Sequence, residues 1–554
     1  ALRALDASKA SWLDVSLEER ARLLQQCADN AVEVQREMGA VEARLKGTYE
    51  SGIGEHLLNM VGVLFGIAEM KATIEAGGQP SVGPARQVGP DQQAVEVFPR
   101  GLDHILFAGF RGEIWLQPGK PATQGAAVRQ RRADGGGVCL CLAAGNQISV
   151  AGLDIIHALF HDSSVVVCKM SEVNEACGPL LAKVFAPLVA RGVLRFIYGG
   201  PEEGKFLTAH PLVSSIHITG SDKTHDAIVW GPGAPKKGTP KCSKKITSEL
   251  GCASPVIITP GQWSSSDLDY QARQVASAVV HNASHNCVAA EVVITARGWP
   301  QRAAFLARLR HHLQVASPRA SYYPGTQAKY DAYRQAMPTA EEMSSPESLR
   351  EMASEVQASW EGGAARAPPV VPWVLAEGCT LEAAGPVMMR ENWCGVLTEV
   401  ALEDVEDPEA FLAAAVEVAN DKCWGSLSCS IVVHPSTRAR HPAAVDAAVA
   451  GLKYGGICVN GPGLAVFGAT RLPWGAFPGN TIEDVGSGIG FVHNTMMLDH
   501  PQKGVLWLPW EVHPTPWWMY DHRNLEGFAL AAAQYCRSPG VGTLLPLANA
   551  GLMG

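Results

Sequence analysis

The sequence predicts an α/β protein built around parallel sheets. From Gly137 onward, apolar runs of strand length, such as VCLCL and SVVVCK, alternate with helical segments. Because these runs lack the alternation of a strand with one wet face, they indicate strands covered by helices on both faces. The chain of 554 residues is also too long for one core, and typical domain sizes give about three or four packed units.

Composition and charge exclude several classes of protein. Hydrophobic residues make up 47% and charged residues 18%, which is ordinary for a globular chain. The formal net charge of −9 gives no general attraction to nucleic acid or anionic lipid. The apolar runs fall short of the roughly 18 to 20 residues that cross a bilayer, and the first residues lack a signal-peptide core. We expect no nucleic-acid partner and no membrane association.

The fourteen cysteines lie mostly in apolar settings and form neither a CxxC pair nor a Cys/His series. The sequence therefore predicts no metal site and favours a reducing compartment, cytoplasm or organelle matrix, over secretion. The chain begins at Ala1, so an earlier transit peptide stays an open alternative.

The N-terminal region is predicted to be helical. Ser16 and Glu19 have capping-box spacing, and the apolar residues that follow fall on one helical face. Helical patterning continues to about residue 75. The Gly/Pro-rich stretch 76–136 contains short strand-like pieces, HILFAGF and GEIWLQP.

Four loops of the βαβ region follow strands, with sequences AAGNQ, KMSE, YGGPEEG and TGSDKTH. Ligands of parallel sheets bind at the carboxyl ends of strands, so these loops are candidate binding loops. The Gly, Pro and Lys-rich insert 231–244 is predicted to be an exposed loop. It is no phosphate loop, since Thr239 stands where the required lysine would be. The stretch 338–368 is predicted to be surface helix and loop.

Two segments carry most of the chemically suggestive residues, SELGCASPVII and HNASHNCVAAEVV. Together they resemble the aldehyde dehydrogenase superfamily, in which ELGG(K)SP precedes an N-x-GQ-x-C-x-A stretch. Further matches in the family's order are Gly145 and Asn146, Lys169 and Glu172, Gly200, Thr219 to Ser221, Glu391 and Trp393, Asn420 and Gly425, Pro473 to Gly475, and Ser487 to Gly490.

The resemblance implies a Rossmann-like parallel-sheet cofactor domain, an α/β catalytic domain and a small oligomerisation element. We predict an NAD-binding domain at 1–248, with 114–136 in the oligomerisation element, and a catalytic domain at 249–470. Residues 471–554 would return to the cofactor domain, add an oligomerisation strand and end in a Trp/Pro-rich extension. That extension is expected to cover an apolar patch on its own subunit or a partner. Strand exchange in the family implies a homodimer or homotetramer.

The resemblance also assigns catalytic roles. Cys287 would be the nucleophile that adds to an aldehyde, because collapse of the resulting thiohemiacetal can expel hydride. The Asn146 amide and the backbone N–H of Cys287 would stabilise the oxyanion. Glu249 would activate water for thioester hydrolysis. Taken singly, these residues could be a buried thiol, a turn residue and a strand-end carboxylate, whereas their joint presence favours catalysis.

The implied cofactor is NAD, with NADP possible. Lys169 and Glu172 would hold the adenosine ribose, and a carboxylate there repels a 2′-phosphate. Gly220 and Ser221 would face the pyrophosphate at a helix N-terminus, after Gly200 on the preceding loop. On the catalytic side, two further residues would contact the nicotinamide riboside, namely Glu391 at the ribose and Trp393 near the ring.

Several departures keep other functions open. Ser284 and His285 replace the Gly-Gln pair before the nucleophile, and His285 either packs on the loop or helps to ionise Cys287. A non-catalytic subunit and a coenzyme-A-acylating dehydrogenase are the alternatives, although Glu249 favours hydrolysis. Asn286, Trp424 and the GLAVFG segment are expected near the substrate, and a bulky or apolar aldehyde is favoured.

Overall fold

The computed structural model describes residues 1–131, 136–360 and 367–554, without the side chains of residues 49–51. Its first three helices confirm the predicted helical region at the N-terminus. The second of them begins where the capping box predicts, because Ser16 Oγ accepts a hydrogen bond from Glu19 N at 3.2 Å. In the part of the chain described, the helices are α1 Leu2–Asp14, α2 Leu17–Leu45, α3 Tyr49–Glu75, α4 Asp103–Leu106, α5 Ala126–Arg129, α6 Ile148–Ile156, α7 Gly178–Val184, α8 Ala186–Arg191, α9 Pro201–Ala209, α10 Asp222–Val229, α11 Ser265–Val280, α12 Arg302–Val315, α13 Thr326–Ala336, α14 Pro346–Ser359, α15 Leu381–Met388, α16 Pro408–Lys422, α17 Pro435–Arg440, α18 Pro442–Gly451, α19 Gly463–Gly468, α20 Leu525–Arg537 and α21 Val541–Leu552.

Three sheets carry the fold. The strands are β1 Ala85–Gly89, β2 Gln92–Phe98, β3 Arg111–Leu116, β4 Val138–Leu142, β5 Val165–Lys169, β6 Leu194–Ile197, β7 Ser215–Thr219, β8 Lys245–Glu249, β9 Pro255–Ile258, β10 Val292–Ala296, β11 Glu341–Glu342, β12 Val374–Cys379, β13 Val396–Leu402, β14 Ser428–Val432, β15 Gly456–Val459, β16 Trp474–Gly475, β17 Gly488–Ile489, β18 Phe491–Val492 and β19 Pro501–Trp507. β16 and β18 form a separate antiparallel pair.

The first large sheet has the order β17-β8-β7-β4-β5-β6, and all its pairs are parallel except β17 with β8. Strands β4, β5 and β7 are the predicted apolar runs, and β5 is buried along its whole length. The βαβ prediction is confirmed here because buried strands alternate with α6 and with the helices α7 to α10. The insert 231–244 contains neither helix nor strand, as predicted.

The second large sheet has the order β1-β2-β3-β19-β15-β14-β9-β10-β13-β12-β11. Its strands from β19 to β12 run parallel, and antiparallel strands flank them on both sides. The pairing of β19 with both β3 and β15 occurs within one chain. The segment expected in the oligomerisation element therefore extends its own catalytic sheet in this structure.

One predicted strand is wrong. HILFAGF forms the short helix α4 and a turn, because its aromatic residues pack on one another instead of extending. The Phe107 ring lies 4.9 Å from that of Phe98 and 5.5 Å from that of Phe110, measured between centroids. The second piece, GEIWLQP, does form β3.

Helix α3 is a core helix, although Gly52–Glu75 is long and apolar enough, by length and composition, to cross a membrane. The sequence did not indicate an apolar segment of this length, because Asn59 and Glu69 interrupt the apolar run. Most of the segment is buried against α2, α6 and α20. Burial in the molecule accounts for its composition without a bilayer.

Candidate active site

Glu249 is the last residue of β8, at the carboxyl end of the six-stranded sheet. The short strand β17 crosses this end, with Gly488 opposite Glu249. A side chain at Gly488 is excluded, because a Cβ there would lie 2.0 Å from the Ser248 carbonyl and the residue has a φ of +123°. The close crossing buries Glu249, which is 4% exposed.

Glu249 and the Cys287 thiol lie close enough for each group to shift the pKa of the other. Trp474 Nε1 donates a hydrogen bond to the Glu249 carboxylate at 3.2 Å. Burial raises the pKa of Glu249 to about 7, against the opposing effects of the thiol and of Trp474. Burial first, and then the Glu249 charge, raise the pKa of Cys287 well above its ordinary value. The resting pair is therefore a protonated thiol beside a base that titrates near neutrality.

The loop that carries Cys287 has an unusual backbone. Asn282, Ala283 and Ser284 have φ values of +52°, +54° and +65°, a left-handed conformation that non-glycine residues rarely adopt. Asn282 N donates to Glu55 Oε1 at 2.7 Å, and Asn282 Nδ2 donates to the His285 carbonyl at 2.9 Å. Side-chain hydrogen bonds thus hold the loop where the family motif would use a glycine.

Asn146 lies directly against this loop. Its Nδ2 donates to the His285 carbonyl at 2.9 Å, and the amide retains a second N–H. Within the described residues, the backbone N–H of Cys287 has no paired acceptor. Both predicted oxyanion donors therefore belong to one polar cluster at the nucleophile.

His285 packs away from the thiol chemistry. Its Nε2 contacts Thr326 Oγ1 at 2.9 Å, and its ring lies 4.8 Å from that of Tyr322 and stacks on that of Tyr323 at 5.7 Å. Burial lowers the pKa of His285 to about 3, so the ring is neutral at physiological pH. The geometry supports the packing interpretation of this residue over assistance in ionising Cys287.

The predicted adenosine and pyrophosphate contacts lie together at the carboxyl ends of β5 to β7. Lys169 ends β5, and the Glu172 carboxylate lies over Gly200, 3.0 Å from where a Cβ would be. Ser221 caps helix α10 by accepting from Thr224 N at 3.2 Å. A Cβ on Gly220 would meet nothing closer than 3.7 Å, which leaves open space beside the helix N-terminus. These residues fit a dinucleotide whose phosphates approach the backbone.

The predicted nicotinamide contacts lie on the catalytic side of the same crevice. Glu391 Oε1 accepts from Cys252 N at 3.2 Å, and burial raises the pKa of Glu391 to about 8. Trp393 is held at a φ of +52°, because the Glu291 carboxylate accepts from its N–H at 3.0 Å. The carboxyl group expected at the nicotinamide ribose is thus held beside Cys252, and the indole expected at the ring packs beside His285.

Sequence reasoning missed three residues that shape this site. Trp474 and Glu291 lie inside quoted motifs, PWG and AEVV, so the motif positions were the available signal. Tyr323 had no local signal. Its ring contacts Trp393 at 5.3 Å and its hydroxyl approaches Gly145, 3.0 Å from where a Cβ would be. A long-range contact of this kind is visible only in the folded chain.

A cavity of about 190 Å³ opens on Cys287. Asn146, Asn286 and Val288 line it near the thiol, and the GLAVFG segment, which forms α19, lines it farther out. The predicted proximity of Asn286 and of GLAVFG to this cavity is confirmed. Trp424 is not among the residues that line it, since its backbone instead pairs with Met388 and Ala253.

Comparison with known proteins agrees with this architecture. The aldehyde dehydrogenase family profile matches residues 118–341. N-succinylglutamate 5-semialdehyde dehydrogenase of Novosphingobium aromaticivorans is 27% identical over 166 residues, which is 30% of this chain and 33% of that enzyme. An aldehyde dehydrogenase of Talaromyces stipitatus is 28% identical over 181 residues, 32% of each chain. These alignments span only about a third of each curated relative.

Solved structures match over much more of the chain. Gamma-glutamyl-gamma-aminobutyraldehyde dehydrogenase from Burkholderia cenocepacia superposes with a TM-score of 0.62 at 18% identity, covering 91% of this chain and 87% of that one. An aldehyde dehydrogenase C mutant from Pseudomonas syringae, complexed with NAD+ and octanal, gives 0.62 at 16% identity, covering 93% and 89%. At these identities the likeness concerns the fold. The profile match over residues 118–341 and the shared fold make the chain similar to aldehyde dehydrogenases in sequence over that segment and in architecture over most of its length.

Proposed function

We propose that this protein oxidises an aldehyde to a carboxylic acid with NAD, or alternatively NADP, as the hydride acceptor. The observation that carries the proposal is the proximity of Glu249 to Cys287, whose thiol lines a cavity. A carboxyl group with a pKa of about 7 beside a nucleophilic thiol is suited to activate water near neutral pH.

The proposed reaction begins with loss of the Cys287 proton to solvent. The thiolate then adds to the aldehyde carbon, and the carbonyl oxygen becomes an oxyanion that accepts from the Asn146 amide and the Cys287 N–H. When bound, the nicotinamide supplies a hydride acceptor, and loss of hydride from the adduct leaves a thioester on Cys287.

The second half of the proposed reaction is hydrolysis. Glu249 takes a proton from water, which attacks the thioester carbon. The C–S bond breaks, the carboxylic acid leaves and Cys287 is regenerated as the thiol. A carboxylate at this position supports hydrolysis over transfer of the acyl group to coenzyme A.

We propose that Lys169 and Glu172 hold the adenosine ribose, with Gly200, Gly220 and Ser221 at the pyrophosphate. The carboxylate of Glu172 favours NAD, because a 2′-phosphate would meet a like charge. Separately, the nicotinamide riboside would contact Glu391 through its ribose and Trp393 through its ring. Tyr323 would lie next to Trp393 on that side.

Aldehyde-dependent formation of NADH at 340 nm tests this function directly. The account expects turnover with NAD, an intact-mass adduct on Cys287 and carboxylic acid as the product. Coenzyme-A-dependent release of the acyl group would instead assign the acylating alternative. Binding of NADH, seen as a fluorescence change, without turnover of any aldehyde would assign a non-catalytic subunit.

We further propose a homodimer or homotetramer in a reducing compartment. Free thiols at all fourteen cysteines support the compartment. Exposed apolar side chains on the C-terminal helix α21, including Val541 at 64% and Leu552 at 72%, support association. Light scattering coupled to gel filtration tests the assembly, and a single monomeric peak at micromolar concentration would refute it.

A further inference from the structure

The cavity that opens on Cys287 has a mostly apolar wall that includes several aromatic rings. Beyond the polar groups at the thiol, Phe65, Phe107 and Phe110 line it on one side and Phe467 on another. None of its lining residues in the described chain is Lys or Arg. A substrate held here would find apolar surface and no cation to pair with an anionic group.

The two acidic side chains on the wall are already paired. Glu55 forms an ion pair with Arg319 at 2.7 Å, and Asp103 forms one with Arg471 at 2.7 Å. Neither arginine is among the residues that line the cavity. The wall therefore presents no unpaired cation or anion to a ligand, and burial of a charged substrate would go uncompensated.

The C-terminal extension, which we define as residues 508–554, supplies much of this wall. It follows β19 and contains helices α20 and α21. Its lining residues are spread over the whole segment. They are Trp517, Trp518, Phe528, Ala532, Tyr535, Cys536 and Leu547.

One part of the extension is fixed to α11, the helix that leads into the nucleophile loop. Gln271 Nε2 donates to the Trp510 carbonyl at 2.7 Å, and Trp510 Nε1 donates to Asp267 Oδ1 at 2.6 Å. Tyr520 N donates to Ser277 Oγ at 3.1 Å. These bonds hold Trp517 and Trp518 between two anchored points, with Trp517 close above Gly468.

The other part is fixed to the N-terminal helices. Gln35 Nε2, which is buried on α2, donates to the Ala529 carbonyl at 3.1 Å. Tyr535 donates from its hydroxyl to Asp103 Oδ1 at 2.8 Å. Helix α20 also approaches α3 closely at Gly54, where a Cβ would lie 2.8 Å from Glu526 N. The extension is thus anchored both to α11 and to the N-terminal helices around the cavity that it lines.

We infer that the C-terminal extension forms the outer wall of the substrate cavity and makes it selective for uncharged, apolar aldehydes. The inference rests on the proposed function for its reaction, but the wall and its selectivity are properties of binding. Its lining residues determine specificity without taking part in the chemistry. Shortening the cavity should therefore penalise long aldehydes more than short ones.

A matched pair of substitutions on α21 tests the inference in the full chain. Leu547 is 6% exposed and lines the cavity, whereas Leu545 is 64% exposed on the outer face of the same helix. Leu547→Phe should lower kcat/KM for octanal by roughly tenfold or more and that for propanal by less than about threefold. Leu545→Phe should leave the octanal to propanal ratio unchanged. Succinic semialdehyde, which is anionic, should be a poorer substrate of the parent than octanal.

A second pair of variants guards against misfolding. Trp517→Ala should lower the octanal to propanal ratio, and Trp517→Phe should restore most of it because an aromatic ring still covers Gly468. Thermal midpoints and circular dichroism identify any variant that fails to fold. If Trp517→Ala fails to fold, Trp517→Phe is compared with the parent in its place.

A binding measurement separates this inference from the proposed function. Octanal titrated calorimetrically into Cys287→Ala, with and without Leu547→Phe, reports the cavity independently of turnover. We expect the Phe variant to weaken binding at least fivefold and Leu545→Phe to leave it unchanged. Equal binding in all three proteins, or a parent that prefers succinic semialdehyde, would overturn the inference. Absence of turnover with intact octanal binding would overturn the proposed reaction alone.

Discussion

The end of β8 and the nucleophile loop, residues 281–287, face each other across the active crevice but are held by different means. Glu249 is positioned by the ladder between β7, β8 and β17, which is a local consequence of strand pairing. The loop is positioned by side chains from distant segments, Glu55 and Asn146 among them. Departures from the family motif are concentrated in the loop. Long-range hydrogen bonds can therefore hold the loop without the glycine of the family motif. Gly488, by contrast, lies opposite Glu249 where a side chain does not fit.

The largest expected effect is that of replacing Cys287 in the nucleophile loop. Cys287→Ala should abolish aldehyde oxidation, a loss of at least about 10³ in kcat, because no other thiol can form the thioester. Stopped-flow and steady-state formation of NADH measure it. Cys429→Ala, which removes a buried thiol from β14, is the matched control and should keep activity within about fivefold. Residual turnover of Cys287→Ala within tenfold of the parent would remove Cys287 from the mechanism.

A residue in the loop after β5 should control cofactor choice. Glu172→Gln removes the charge that repels a 2′-phosphate, so the ratio of kcat/KM for NAD to that for NADP should fall roughly tenfold. The ratio is measured from initial rates at several concentrations of each cofactor. Glu202→Gln, a change at an exposed site on α9, should leave it unchanged. A parent that already prefers NADP would show that this loop is wrongly assigned.

The base at the end of β8 should give the reaction its pH dependence. The pKa of Glu249 lies near 7, and the carboxylate form that activates water appears above it, so hydrolysis should accelerate as pH rises through about 7. Trp474→Phe removes a donor that stabilises the carboxylate. The pKa of Glu249 should rise, and the midpoint of the kcat profile should move to higher pH.

The matched control for this profile is Trp263→Phe. Trp263 is buried, and its Nε1 has no hydrogen-bond partner in the described chain, so its loss changes packing without changing the base. Its midpoint should equal that of the parent. An unchanged midpoint in Trp474→Phe would show that another group sets the profile.

The smallest expected effect is a change in stability that compares the nucleophile loop with β8 directly. Ser284 has a φ of +65° and a buried hydroxyl without a partner in the described residues, so Ser284→Gly should stabilise the protein by about 1 kcal/mol. Ser248→Gly in β8 should instead destabilise it, because Ser248 Oγ accepts from Ile489 N at 3.0 Å. Calorimetric midpoints of the two variants should move in opposite directions. A lower midpoint for Ser284→Gly would contradict the strain argument.

The contrast between local strand pairing and long-range contacts explains which features the sequence could predict. Strands β4, β5 and β7, the cap at Ser16 and the position of Glu249 follow from local pattern, and all are present in the fold. The helix in HILFAGF was missed because aromatic packing overrode strand propensity. Two features depend on contacts between residues far apart in sequence. They are the aromatic cluster around His285 and the pairing of β19 with β15 in one chain.

The C-terminal extension could be predicted only in part from the sequence. Its tryptophan and proline content predicted an arm over an apolar patch, and the structure places that arm on its own chain, over the cavity. Local composition could predict the need for burial but not the surface that supplies it. The identity of the covered surface follows from anchors on α11 and α2, which lie hundreds of residues earlier.

The central claim is that Cys287 and Glu249 act in successive half-reactions. Glu249→Gln, mixed rapidly with an aldehyde and NAD, should give a burst of NADH approaching one per active site. A steady state slowed by about 10² to 10⁴ should follow, with an acyl adduct on Cys287 visible by intact mass. Absence of both burst and adduct would show that Glu249 acts before hydride transfer. Normal turnover would contradict its assignment as the base.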